Sequence, residues 1–115
     1  MKYLLLIYGN EAAMAAASKA DAEKVTGAYM AYTEAMKKAG AYVGGERLRP
    51  TSAATTVRVT NGKTQVLDGP YAETKEQLGG YYMIEVPDLD TALSWAARCP
   101  GASLGVMEVR PIWPM

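Results

Sequence analysis

The run Asp68-Gly69-Pro70-Tyr71-Ala72-Glu73-Thr74-Lys75-Glu76 gathers more chemically capable side chains than any other stretch of this sequence. A carboxylate presented by a turn at a pocket mouth can handle a proton, which is the role open to Asp68. Glu73, Lys75 and Glu76 could serve as acid, base and anion-binding groups, with Tyr71 as a wall. The ordinary reading weighs more on sequence alone. Asp-Gly-Pro is a turn in which Asp bonds nearby amides, and the following charges form a solvated helical turn. Arg110 is a stronger candidate, because a guanidinium facing an enclosed space must meet a carboxylate or an anionic ligand. An ion pair with Glu85 or Glu108 is the structural version of that role, and ligand anchoring the functional one. Tyr81 and the other strand tyrosines, Tyr3, Tyr8 and Tyr82, could line a pocket, although aromatics at alternating strand positions usually build a core.

Absences narrow the chemistry further. The chain has no His, so Ser-His-Asp and Cys-His machinery, the commonest zinc ligand and a proximal haem ligand are all missing. Any catalysis must rest on carboxylates, Tyr, Lys, Arg or backbone groups, and neither a metal nor another cofactor is expected. Cys99, at a helix end beside Pro100, reads as packing and not as a nucleophile. As a lone cysteine it fits a reducing cytoplasm. Twelve Lys+Arg balance 12 Asp+Glu, which gives no field to recruit nucleic acid or an anionic membrane. Arg47, Arg49 and Arg58 lack the interleaved aromatics of a nucleic-acid platform. No apolar run approaches the roughly 20 residues that span a bilayer. The opening Tyr3-Leu4-Leu5-Leu6-Ile7-Tyr8 reads as a strand and not as a leader.

These residues need a scaffold, and 115 residues make one domain. Residues 3–8 are apolar on both alternating sets, as a central strand with two covered faces would be. Ser18 to Ala39 has helical spacing through Val25, Tyr29, Tyr32 and Met36. Ser18 or Asp21 suits its start and Gly40 its left-handed stop. Tyr42 to Leu48 reads as a strand with an irregularity at Gly44-Gly45. Asn61-Gly62 joins two short strands as a hairpin. Gly79-Gly80 opens the strand Tyr81 to Val86. A second helix follows from Asp88 or Asp90 to about Cys99, with Leu89, Leu93, Ala96 and Ala97 expected inward, and Pro100-Gly101 ends it. Val106 to Ile112 is the last strand.

Without the hairpin, the order is β-α-β-β-α-β, an α+β domain of the ferredoxin-like kind. Such a sheet carries two helices on one face and none on the other. Tyr82/Ile84/Val86 and Met107/Val109 fit the helix side. Tyr81/Met83/Glu85 and Val106/Glu108/Arg110/Ile112 then face the open side, which is too apolar to leave in water, so a partner sheet is expected over it.

The Asp68–Glu76 motif, followed by Leu78-Gly79-Gly80-Tyr81-Tyr82, resembles the DGPF-type branch of the YCII-related proteins. That branch usually has Phe at the position of Tyr71. Leu48-Arg49-Pro50, Thr56-Val57-Arg58 and Glu108-Val109-Arg110-Pro111-Ile112 extend the resemblance over nearly the whole chain. The resemblance implies a dimeric α+β barrel in which two such sheets pack face to face. It also implies kinship with small isomerases, dehydrochlorinases, monooxygenases and haem peroxidases, and with proteins that accompany extracytoplasmic-function sigma factors. The His-Asp dyad of some relatives has no His to fill it here. Three functions stay open: a small-molecule-binding homodimer, regulatory in kind; a cofactor-free enzyme transferring protons through Asp and Arg or Tyr; and a purely structural or interaction dimer.

Overall fold

Apolar side chains on both alternating sets of residues 3–8 do build a central strand. The computed structural model describes residues 1–115. Strand β1 (Lys2–Gly9) leads through a short helix α1 (Glu11–Ala15) to the long helix α2 (Lys19–Lys38). Strand β2 (Tyr42–Arg47), a 3-10 turn (Thr51–Ala53), and the strands β3 (Thr55–Thr60) and β4 (Lys63–Asp68) come next. Strand β5 (Gln77–Glu85), helices α3 (Leu89–Arg98) and α4 (Pro100–Leu104), and strand β6 (Val106–Pro111) complete the chain.

The main sheet has the order β2-β5-β1-β6 and every pairing is antiparallel. This is the ferredoxin-like arrangement, with β3 and β4 set apart as a sheet of two strands. Their turn has the backbone that Asn-Gly favours, with φ of 51° at Asn61 and 74° at Gly62. The irregularity expected in β2 is a register shift between Tyr42 and Gly44.

Both long helices start on side-chain caps. Ser18 Oγ accepts from Asp21 N at 3.1 Å, and Asp88 Oδ1 accepts from Thr91 N at 2.8 Å. Gly40, at φ 72°, ends α2 in the left-handed conformation. The core lies between these helices and one sheet face, where Leu5, Met36, Ile84 and Ala92 are fully buried. Tyr3, Tyr32, Val86 and Trp95 join them, and Met107 and Val109 pack at the edge.

Three details differ from the sequence reading. Leu89 and Leu93 of α3 do not face inward: each is 47% exposed, and Ala97 is exposed as well. The buried positions are Ala92, Trp95, Ala96 and Cys99, because the indole of Trp95 sets the helix rotation and the small alanines beside it allow close approach. Pro100 does not end helical structure but begins α4 at its first position, where a missing N–H costs nothing. Residues 73–76 form no helical turn. Thr74 Oγ1 donates to Glu76 O (2.7 Å) and Gln77 Nε2 donates to Thr74 O (2.7 Å), so side chains compete with the helical backbone pattern.

The molecule is a slab of 47 × 43 × 18 Å. Its accessible surface of 8264 Å² exceeds by about 2,200 Å² what a compact monomer of 12.3 kDa exposes. The hairpin strands are exposed along nearly their whole length, whereas the apolar residues that β1 and β5 place on the open sheet face are half-buried. Leu5→Ala should cost about 2–5 kcal/mol and Leu93→Ala under about 1 kcal/mol, read from urea unfolding midpoints. A larger loss for Leu93→Ala would restore the inward-facing assignment.

Candidate functional site

Pairing register fixes what the open face displays, since residues directly opposite one another share a side of the sheet. Glu46, Tyr81, Leu6 and Glu108 form one row across the strands. Gly44, Met83, Leu4 and Arg110 form the next, and Glu85 stands opposite Lys2 beyond it. The two middle strands therefore give an apolar floor of Leu4, Leu6, Tyr81 and Met83, bordered by charge on the outer strands. Tyr81, Glu85, Glu108 and Arg110 all lie on this face, as the strand alternation requires. Arg110 donates to Glu108 Oε2 at 2.5 Å, with both side chains partly open to solvent. Of the two carboxylates weighed for Arg110, Glu108 is the partner within the chain.

The remaining candidates lie on the loop after the hairpin. Asp68 closes β4 opposite Thr55 and is exposed. Gly69, at φ 106°, makes the turn that follows, in a backbone region glycine enters freely. Tyr71 is 75% exposed, and the Arg58 guanidinium sits 5.8 Å from its ring centroid. Glu73 and Lys75 are exposed and Glu76 is half-buried. This loop enters β5 at Gln77, opposite Gly9, so it arrives at the end of the sheet where Tyr8, Leu78 and Val106 share a row on the open face.

A polar cluster missed by the sequence reading anchors that end. Glu11 accepts from Thr51 N at 2.8 Å and from Thr51 Oγ1 at 2.7 Å. Glu11 N in turn donates to Gln77 Oε1 at 3.0 Å. These bonds tie α1, the 3-10 turn and the start of β5 together. They border a shallow cleft of about 220 Å³ lined by Thr51, Ser52, Gly69, Pro70, Glu73 and Thr74. Hydroxyl and carboxylate groups there suit a small polar molecule able to donate hydrogen bonds. Asn10 before Glu11 is a readable helix start, and Asn10 Oδ1 does accept from Ala13 N. The bond from Glu11 to Thr51 spans distant sequence and leaves no local signal.

The helix side holds a different group of hydroxyls. Tyr32 donates to Trp95 O at 2.7 Å and stacks edge-on against Tyr82, 5.5 Å between centroids. Thr33 Oγ1 and Tyr82 Oη share a hydrogen bond of 2.8 Å. Burial raises the pKa of Tyr29, Tyr32 and Tyr82 above the ordinary value of 10.0, and the neighbouring Cys99 adds to the rise. Burial likewise pushes the Cys99 thiol up, which keeps it protonated and unreactive. Tyr3 and Tyr82 therefore belong to the core, whereas Tyr8 and Tyr81 face the open side.

No three carboxylate or thiol groups converge on one point, and no helix is long and apolar enough to cross a membrane. Residues 1–115 match the family model of the YCII-related domain. The chain is also 43% identical over 114 residues to an uncharacterized protein of Rhizobium meliloti (strain 1021), covering 97% of this chain and 92% of that protein.

The tyrosine cluster makes stability pH-dependent with a definite sign. In the unfolded chain tyrosines ionise near 10.0, whereas the buried ones resist ionisation. Stability from this source is intact below that pH and is lost as pH rises through it. Urea midpoints should start to fall near pH 9, where the unfolded Cys99 thiol ionises, and fall further above about pH 10, less steeply in Tyr29→Phe. Equal slopes for Tyr29→Phe and the parent would remove Tyr29 as a source.

Proposed function

The chain belongs to the YCII-related family, and from that premise we propose that it works as a homodimer binding a small organic molecule between two open sheet faces. The observation that carries this reading is the make-up of the open face: an apolar floor of Leu4, Leu6, Tyr81 and Met83 with charged groups only at its borders. Small-ligand sites have this composition, largely apolar with a few placed polar groups. The excess surface points the same way, because stable dimers cover exposed apolar faces of this kind. Isologous packing of two such faces would give the dimeric α+β barrel.

In this assembly Arg110 anchors an anionic group of the ligand, in competition with its Glu108 partner, and Tyr81 lies in the floor beneath it. Asp68 is the proton-handling carboxylate at the rim, with Tyr71 as a wall, Glu73, Lys75 and Glu76 as bordering groups and Glu85 at the far end. The motif from Asp68 to Glu76 supports placement in the DGPF-type branch. Binding of a metabolite by such a dimer is a regulatory activity, and the buried, protonated Cys99 suits the cytoplasm.

Leu6→Arg should convert the protein to a folded monomer at micromolar concentration, seen by sedimentation and circular dichroism. A metabolite screen by thermal shift should find ligands, since binding stabilises only the folded state. For any ligand so found, Arg110→Met and Asp68→Asn should weaken binding tenfold or more while the dimer persists. An unchanged dimer in Leu6→Arg would defeat the face-to-face assembly; normal binding by both other variants would defeat the site.

A further inference from the structure

Register in the β3–β4 hairpin puts Thr55, Val57, Val59, Thr64, Val66 and Asp68 on one face and Thr56, Arg58, Gln65 and Leu67 on the other. The second face makes two contacts within the chain, although its Leu67 is 64% exposed. Thr56 Oγ1 donates to Gly69 O at 2.8 Å, and Arg58 lies over Tyr71. The first face is bare, with Val57 at 62%, Val59 at 64% and Val66 at 60% exposure. Two strands alone are marginally stable in water, and these pair with no third strand. A hairpin exposed along both strands, with three valines gathered on one face, is built to be covered.

We propose that the hairpin is an arm which lays its valine face on a second copy of the chain, an inference that rests on the dimer reading above. Area identifies the occupant. The four strands of the open face, of 8, 6, 9 and 6 residues, present roughly 470 Å² in plan at about 4.8 Å by 3.4 Å per residue, well short of the ~800 Å² per partner of a standard interface. One face of a two-stranded arm adds about 200 Å² by the same spacing. In a two-fold assembly each copy gives one arm and receives one, which supplies the remainder. Asp68 shares the valine face, so the arm carries this carboxylate onto the neighbouring copy. The ligand site is then composite: Arg110 comes from one chain and Asp68 from the other.

The test places the photo-crosslinker p-benzoylphenylalanine at Val59 in the full chain, co-expressed with an unmodified copy bearing a different affinity tag. Irradiation should yield a product that both tags retain under denaturing conditions. The same probe at Met83 reports the sheet-face contact separately. Crosslinks between chains from Met83 but not from Val59 overturn the arm and leave the dimer reading standing. None from either position overturns both. The triple variant Val57→Thr, Val59→Thr, Val66→Thr keeps strand-forming residues while removing the apolar face. It should raise the dimer dissociation constant tenfold or more, and an unchanged constant would also overturn the arm.

Discussion

The antiparallel pairing of β1 with β5 on one side and β6 on the other is the constraint on which the rest of the molecule depends. It aligns Leu5 with Tyr82 and Val109, and Tyr3 with Ile84, on the side covered by the helices. The same hydrogen bonds align Leu4 with Met83 and Arg110, and Leu6 with Tyr81 and Glu108, on the other side. A slip of one residue would exchange these two sets and bury Glu108 and Arg110 beneath the helices, at a cost of several kcal/mol per unpaired charge. The core and the open face are therefore one decision made by a single register. Gly105 supports it: a side-chain carbon there would press on the Tyr8 carbonyl oxygen at the edge of the β1–β6 pair.

Much of this architecture is legible in the sequence, for reasons that can be named. Strand alternation has a period of two, so Tyr82/Ile84/Val86 and Tyr81/Met83/Glu85 separate without knowledge of their neighbours. Ser18, Gly40 and Asn61-Gly62 punctuate the chain because their local chemistry is self-contained. The rotation of α3 is not legible in this way. Leu89 and Leu93 carry more apolar surface than Ala92 and Ala96, yet the small residues are buried because Trp95 fills the space and the helix must approach the sheet closely. Hydrophobicity alone favours the wrong face when one large side chain decides the packing.

The candidate site divides along the same line. Tyr81, Glu85, Glu108 and Arg110 are placed by strand alternation, and the structure puts them on one face. Asp68, Tyr71, Glu73, Lys75 and Glu76 sit on an irregular loop whose course is set by Thr74, Gln77 and, through Gln77, by Glu11. Such a network is long-range in sequence and short-range in space. It explains why the loop is not the helical turn that its composition suggests. It also shows that the polar end of the sheet is held by groups unrelated to any local motif.

The pairing of Leu4 with both Met83 and Arg110 has a consequence for how the protein is made. The most apolar strand is translated early, whereas the strands that flank it emerge only after the helix and hairpin between them. Topologies dominated by such distant pairings fold slowly, and an unpaired apolar strand is prone to associate with other chains while it waits. On the ribosome, α2 and the hairpin can form from local contacts, but β1 stays without a neighbour until β5 arrives. The burden of chaperone attention should therefore fall on nascent chains that have exposed the first strand and not yet the fifth.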